Sequence, residues 1–147
     1  MGRKAKGIRA ERELVGMFWD SDWAATRVAG SGNTTLPSTD VIAGKNGRTL
    51  ALECRTVNND RIYIDKEKVN GMLEFTKKSG YEGWFAIKFD RKGWFFLPCH
   101  KIKNYMNLDH LEQNAKSFKD LLECNCKDEQ YEFFKKWKKE DFLNSNN

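Results

Sequence analysis

Residues 40–55 read DVIAGKNGRTLALECR, and this stretch decides the fold. At its centre, Asn46-Gly47 is the dipeptide that best fits a two-residue β-hairpin turn, because both turn positions need a positive φ angle. With these two residues as the loop, Asp40 stands directly opposite Glu53, and their Cβ atoms lie roughly 4.5–5.5 Å apart. Like charges that face each other destabilise a sheet, so the pair needs either open solvent or a cation.

The rest of the hairpin favours a cation over open solvent. Side chains alternate between the two faces of a strand, so Arg55 shares the face of Glu53. Both faces also carry apolar residues, with Ile42 and Ala51 on the carboxylate face and Val41, Ala43, Leu50, Leu52 and Cys54 on the other. A divalent metal with oxygen ligands is therefore the natural candidate. The alternative is a surface pair in which Asp40 and Glu53 merely end their strands.

A helix is predicted over residues 8–19, IRAERELVGMFW, from the helical spacing of its apolar residues. Glu11 falls on the apolar stripe, whereas Glu13 falls on the exposed side. Of the two acids, Glu11 is therefore expected to point inward, and the alternative is a glutamate at the helix rim whose carboxylate reaches water.

The remaining pattern predicts an α/β fold. The elements are strands at 23–28, 61–64, 84–89 and 94–97, a helix at 65–80 that stops at Gly80, a short helix at 118–123, and a helix within 128–143. The Gly, Ser, Thr and Pro stretch at 29–39 predicts a flexible loop that leads into Asp40. We divide the chain into a main domain at 1–126 and a C-terminal amphipathic helix with a frayed tail at 127–147.

Length and charge limit the classes to which this protein can belong. A chain of 147 residues makes about one domain, and its net charge of +5 supports a nucleic-acid partner without proving one. No apolar run is long enough for a membrane span, and the N-terminus lacks the apolar core of an export signal. We expect a cytoplasmic protein with no membrane partner, in a cell or in a host cell if a virus encodes it.

The four cysteines do not resemble a secreted disulfide framework, so reduced thiols are expected. A zinc site made from Cys99, His100, Cys124 and Cys126 is conceivable. It lacks the paired Cys-x-x-Cys spacing of known structural zinc sites, which counts against it.

Six segments together resemble the archaeal-type Holliday junction resolvases, a branch of the PD-(D/E)XK nuclease superfamily. They are KGIRAERELV, WAATRVAGSG, TDVIAG, LALECR, RIYIDKEKVNGMLEF and WFAIKF, and the match covers about residues 6–98. The resemblance implies a central mixed β-sheet flanked by helices, a homodimer, and metal-dependent nicking of branched DNA at four-way junctions. The hard oxygen donors suit Mg²⁺, for which Mn²⁺ would substitute.

The resemblance also implies roles for three carboxylates. Asp40 matches the aspartate of the PD motif, although Thr39 stands where proline is usual, and Glu53 matches the glutamate of the ExK motif. Glu11 looks like the carboxylate of the family's N-terminal helix. All three are expected to be catalytic and to hold the metal, with Glu11 acting directly or through a bound water.

Further residues of the resemblance are expected to meet DNA. Arg12 looks like a phosphate-contacting arginine, and Arg27 and Ser31 resemble the motif arginine and the catalytic mobile-loop serine of those enzymes. The expected DNA-binding residues are Lys6, Arg9, Arg12, Arg27 and Lys68.

Arg55 departs from the family pattern, which has lysine at this position. A guanidinium can stabilise negative charge on a phosphate, but it stays protonated and cannot serve as a base. The sequence thus leaves open an active enzyme that uses only the charge of Arg55, or a weakly active or non-catalytic junction-binding protein. A related nuclease that acts on other DNA structures is a further alternative.

Overall fold

The computed structural model describes residues 2–30 and 35–138. Within these residues the main sheet has five strands, of which one neighbouring pair runs parallel, β3 (Arg48–Val57) with β5 (Glu82–Phe89), while the other neighbours run antiparallel. The other strands are β1 (Ala24–Arg27), β2 (Val41–Lys45) and β6 (Gly93–Pro98), and the order across the sheet is β1-β2-β3-β5-β6. The central mixed sheet flanked by helices is confirmed.

The hairpin of β2 and β3 has the predicted register. Asn46 and Gly47 form the turn with φ angles of 48° and 84°, as such a turn requires. The pairs run from Lys45–Arg48 at the turn to Val41–Leu52 at the far end. Asp40 comes immediately before β2 and lies just outside the ladder, in a bend.

Helices cover both faces of the sheet because the strands are apolar on both sides. Leu14 and Phe18 of α1 (Arg3–Asp20) are buried with the even-numbered residues of β3. Val69 and Leu73 of α2 (Lys66–Ser79) are buried on the opposite face with Ala51. None of the helices in the described ranges is long and apolar enough to span a membrane.

The helix boundaries agree with the sequence at α2 and differ at α1. Gly80 ends α2 in the left-handed conformation with a φ angle of 76°, as its position predicted. α1 starts at Arg3, five residues before the predicted start. The sequence before Ile8 is basic and lacks apolar residues at helical spacing, so periodicity could not reveal this first turn.

The strand predicted at residues 61–64 forms outside the main sheet. It is β4 (Arg61–Tyr63), and it pairs antiparallel with β7 (Tyr105–Asn107) as a separate two-stranded ribbon. The sequence did not indicate β7, because three residues are too few for a recognisable alternation. It also did not indicate α3 (Leu108–Asn114), which directly follows β7.

The C-terminal part packs onto the sheet. α4 (Phe118–Glu123) lies where it was predicted, and α5 (Lys127–Lys136) follows it. Phe134 and Trp137 are buried in the core, and the amide of Gln130 pairs with both the N–H and the carbonyl of Gly83 at 3.0 and 2.8 Å. The domain boundary at residue 126 stays a prediction, and the predicted tail lies outside the described residues.

Candidate active site

Asp40 is held against β3 by its backbone and by its side chain. Its N–H donates to the carbonyl of Leu52 at 3.1 Å, and its Oδ2 accepts from the N–H of Cys54 at 2.9 Å. The buried hydroxyl of Thr39 donates to the same Leu52 carbonyl at 2.9 Å. These contacts place the Asp40 carboxylate beside the strand position that Glu53 occupies.

Glu53 is a buried carboxyl group that meets two cations. The residue is 2% exposed, and its Oε1 lies 3.2 Å from Arg55 Nη1 and 3.7 Å from Lys68 Nζ. Burial raises the pKa of Glu53 to about 7, and the neighbouring charge of Asp40 adds to this, while Arg55 and Lys68 oppose it. The Asp40 carboxylate therefore lies close enough to Glu53 for its charge to raise the pKa of Glu53, in line with the proximity that the hairpin register predicted.

Glu11 approaches Asp40 from α1. Its side chain is mostly buried and its Oε1 lies 3.3 Å from Arg27 Nε. Burial and the charge of Asp40 raise the pKa of Glu11, and Arg27 partly offsets this. Glu13 is more exposed and pairs with Lys88, so the inward orientation predicted for Glu11 is confirmed. The charge of Asp40 thus raises the pKa of both Glu11 and Glu53.

The donor set of this site suits a hard divalent cation. Among residues 2–30 and 35–138, no group of three or more His, Cys, Asp or Glu side chains is arranged to hold a metal ion. Asp40 and Glu53 nevertheless form a pair of oxygen donors, and Mg²⁺ is commonly bound by one or two carboxylates, with waters and substrate phosphates as its other ligands. The two carboxylates therefore fit such an ion without a third protein ligand.

Of the predicted DNA-binding residues, two lie at the carboxylates and three lie along α1. Arg27 pairs with Glu11, and Lys68 pairs with Glu53. The other three residues are Lys6, which pairs with Asp90 at 3.1 Å, and Arg9 and Arg12, which line an open groove of about 430 Å³ with Ala5 and Ile8. Ser31 lies outside the described residues, so its predicted role is not placed.

The structure gives two residues of this site contacts that the sequence did not predict. Thr39 was noted only as a departure from proline, yet its hydroxyl ties the segment before Asp40 to β3. Lys68 was expected to meet DNA, and its ammonium group also contacts Glu53. The signal for the Lys68 contact was its position in the first turn of α2, but this signal could be used only if the orientation of α2 relative to β3 was known.

The zinc site considered for Cys99, His100, Cys124 and Cys126 does not form. Cys99 is buried in the core on the α2 face, where its thiol lies 3.7 Å from the Thr76 hydroxyl. Cys124 and Cys126 lie with the core on the α1 face. The sheet separates these thiols, so they cannot share one ion with His100.

Residues 2–129 match the family described as archaeal Holliday junction resolvase (Hjc). The chain belongs to this resolvase family. It is 38% identical to the crossover junction endodeoxyribonuclease Hjc of Archaeoglobus fulgidus over 117 residues, which are 79% of each chain. It is 39% identical to the Hjc of Sulfolobus acidocaldarius over 127 residues, with 76% of this chain and 89% of the relative covered.

A solved structure supports the same family assignment. The structure of Archaeoglobus fulgidus Hjc, a Holliday junction resolvase, superposes with a TM-score of 0.72 at 27% identity. The match covers 78% of this chain and 97% of the other. The resemblance that six short segments predicted is thereby confirmed at the level of family and fold.

Proposed function

We propose that this chain is a metal-dependent endonuclease that binds four-way DNA junctions and nicks two strands symmetrically as a homodimer. Its relatives are named crossover junction endodeoxyribonucleases, and they match most of the chain. The observation that carries the proposal is the buried Glu53 carboxyl group beside Asp40, with Arg55 and Lys68 at its oxygen. A buried carboxyl group with a raised pKa beside a second carboxylate is costly for a fold and typical of an active site.

Metal dependence is common to the nucleases of this family, and we propose Mg²⁺ with Mn²⁺ as a substitute. Asp40 and Glu53 would hold the ion, with Glu11 contributing directly or through a water. When bound, such an ion makes a water nucleophilic at neutral pH and stabilises negative charge on the phosphate. The protein's own part is to hold two oxygen donors at one position and to exclude bulk water from Glu53.

Arg55 and Ser31 complete the proposed catalytic set. Arg55 is fixed by Glu53 and keeps a side chain that is partly exposed, so its remaining donors can meet a phosphate oxygen. We assign it the stabilisation of negative charge that develops during hydrolysis. Ser31 would contact the phosphate from the loop that precedes Asp40.

The basic residues are proposed to position the DNA. Arg9 and Arg12 form one exposed basic patch on α1, together with Lys6 one turn earlier. Arg27 and Lys68 lie at the carboxylates, where they would meet the phosphates next to the scissile bond. Contacts to phosphates fix the register of a protein on DNA without reading its bases, which suits a nuclease that recognises shape.

A homodimer and a cytoplasmic location are parts of the same proposal. Symmetric resolution needs two matched nicks, and the proposed site uses one Asp40 and one Glu53 per chain, so two chains are required. The cytoplasmic location follows from the proposed substrate, because a cell without a nucleus keeps its DNA in the cytoplasm.

A second candidate is a junction-binding protein with little nuclease activity. The observation that favours it is Arg55, since a guanidinium cannot accept a proton from water. Lys68 reaches the same Glu53 oxygen and supplies a titratable amine, which favours the active enzyme.

The deciding experiment measures nicking of a labelled synthetic four-way junction, with a linear duplex of the same sequence as control. We expect Mg²⁺-dependent cuts in the junction alone. Asp40→Asn and Glu53→Gln should each lower the rate by more than about a hundredfold, because even groups that only support a metal ligand contribute about 10–100-fold. Junction binding should persist in both variants, because each removes negative charge that faces the phosphates.

Glu13→Gln is the matched control, since it removes a carboxylate from the same helix as Glu11 without touching the acid pair. It should nick at close to the wild-type rate. Cleavage that survives in Asp40→Asn, or equal cutting of the duplex, would overturn the proposal. Tight junction binding with no cutting in any metal would favour the second candidate.

A further inference from the structure

Two thiols meet at the link between α4 and α5. The Sγ atoms of Cys124 and Cys126 are 3.5 Å apart, and the Cys126 thiol donates to Cys124. Only Asn125 separates them in sequence, and both side chains turn to the same side of the link. Cys124 is partly exposed, whereas Cys126 is buried.

Arg48 is held against the sulfur of Cys124. Its Nη2 lies 3.4 Å from Cys124 Sγ. The guanidinium cannot turn away, because it makes two hydrogen bonds to the buried carboxylate of Glu82 at 2.7 and 3.0 Å and one to the carbonyl of Leu122 at 3.0 Å. The guanidinium therefore holds Cys124 Sγ at a fixed position beside Cys126 Sγ.

The other cysteines lack this environment. Cys54 and Cys99 are buried, and burial is the main cause that raises the pKa of each thiol. Burial and the neighbouring Cys124 also raise the pKa of Cys126, so Cys126 keeps its proton and can donate it. The pair thus combines the sulfur of a partly exposed residue, in contact with a guanidinium, with a buried sulfur that donates to it.

We propose that Cys124 and Cys126 form an oxidation site that reacts with hydrogen peroxide and closes to a Cys124–Cys126 disulfide. The Cys124 thiolate attacks one peroxide oxygen, the O–O bond breaks, and Cys124 becomes a sulfenic acid while hydroxide leaves and takes up a proton as water. The Cys126 sulfur then attacks Cys124 Sγ, the S–O bond breaks, and the hydroxyl leaves with the Cys126 proton as a second water. The two thiols lose two electrons in total, and one peroxide is reduced.

The geometry needs only a local movement. The sulfur atoms must close from 3.5 Å to the disulfide length of about 2.0 Å. Side-chain rotation can do this while the backbone keeps its bonds to the flanking helices, from Cys124 N–H to Asp120 O at 2.9 Å and from Gln130 N–H to Cys126 O at 3.0 Å. The bonds from Arg48 to Glu82 and Leu122 do not involve sulfur, so they stay in place. The same guanidinium disfavours a cation between the thiols, which argues against a soft-metal site.

The test treats the full-length protein with a small excess of hydrogen peroxide, alkylates the remaining thiols and digests the chain with trypsin. Both cysteines fall on one peptide, Asp120–Lys127, while Cys54 and Cys99 fall on Thr49–Arg55 and Gly93–Lys101. We expect Asp120–Lys127 to become lighter by two hydrogen atoms and to resist alkylation, and reduction should reverse both changes. The other two peptides are internal controls and should be alkylated fully once the protein is denatured.

Single variants test the order of the two steps. Cys126→Ser should stop at a sulfenic acid on Cys124, which dimedone traps, whereas Cys124→Ser should leave Cys126 as a free thiol. Alkylation of both thiols after peroxide, a sulfinic acid on Cys124 beside a free Cys126, or a disulfide to another peptide would each overturn the proposal. The wild-type measurement stands by itself if a variant does not fold.

Discussion

Glu53 is the residue whose chemistry depends most on its surroundings. In the metal-free protein it holds a proton up to a pH of about 7, whereas an ordinary carboxyl group releases it near 4.5. The folded state therefore binds more protons than the unfolded chain between these values. The free energy of unfolding should fall as pH rises through this window, by up to about 3 kcal/mol from this residue, and level off above it.

Urea unfolding with a chelator present, at several pH values from 4.5 to 8, measures this dependence. Other groups also titrate in this range, so Glu53→Gln is the reference: the variant lacks the ionisable group and should gain stability over wild type as pH rises. A difference between the two proteins that stays constant with pH would contradict the raised pKa.

Arg55 decides between charge stabilisation and proton transfer at the third motif position. If only a positive charge is needed, Arg55→Lys should change the nicking rate by less than about tenfold, which is about 1.4 kcal/mol, and Arg55→Ala should remove most activity. If a titratable amine is needed, Arg55→Lys should instead speed the reaction greatly. We expect the first result, because a guanidinium suits phosphate oxygens.

Single-turnover rates on one junction at saturating Mg²⁺ measure the effect of both Arg55 changes. Lys68→Ala belongs in the same series, since Lys68 contacts the same Glu53 oxygen and could mask the loss of Arg55. An alanine variant at position 55 that cuts as fast as wild type would exclude both roles.

At the scale of elements, β5 is a strand whose side chains enter the core on both faces of the sheet. Gly83, near its start, lets α2 and the segment after β6 approach closely: a Cβ there would lie 2.1 Å from Thr76 Oγ1 and 2.6 Å from Cys99 Sγ. Its backbone also binds Gln130 of α5. Gly83→Ala should therefore destabilise the protein by about 1–3 kcal/mol, as overpacking of a core does.

Thermal or urea unfolding measures the effect of Gly83→Ala. Gly16→Ala is the matched control, because a Cβ at that position of α1 meets nothing within 4 Å. It should leave the protein unchanged or more stable by up to about 1 kcal/mol, since alanine favours helix. Equal effects of the two changes would show that Gly83 is not needed for close packing.

At the scale of the whole molecule, symmetric resolution should require two intact sites in one assembly. Light scattering of the chain with a junction should give two chains per junction. In mixed assemblies of wild type and Asp40→Asn, only one site can cut, so a supercoiled plasmid with an extruded cruciform should yield nicked circles instead of linear product. Linear product from mixed assemblies in a single binding event, or a monomer on the junction, would contradict the dimer.

The sequence alone determined the features that depend on neighbours along the chain. The Asn46-Gly47 turn set the hairpin register, which brings Asp40 and Glu53 together, because a two-residue loop leaves no other pairing. The helical stripe of α1 oriented Glu11 inward for the same local reason. Family and fold followed from motifs in these segments.

Only the tertiary structure decided the contacts between distant segments. The parallel pairing of β3 with β5, the ribbon of β4 with β7, and the approach of Lys68 to Glu53 each join residues whose separation has no periodic trace in the sequence. The raised pKa of Glu53 belongs to the same class, since it comes from burial under elements distant in sequence. The local sequence pattern determines the direction and spacing of side chains along one strand or helix. Their burial and charge environment arise only when the faces of the sheet and the helices pack against each other.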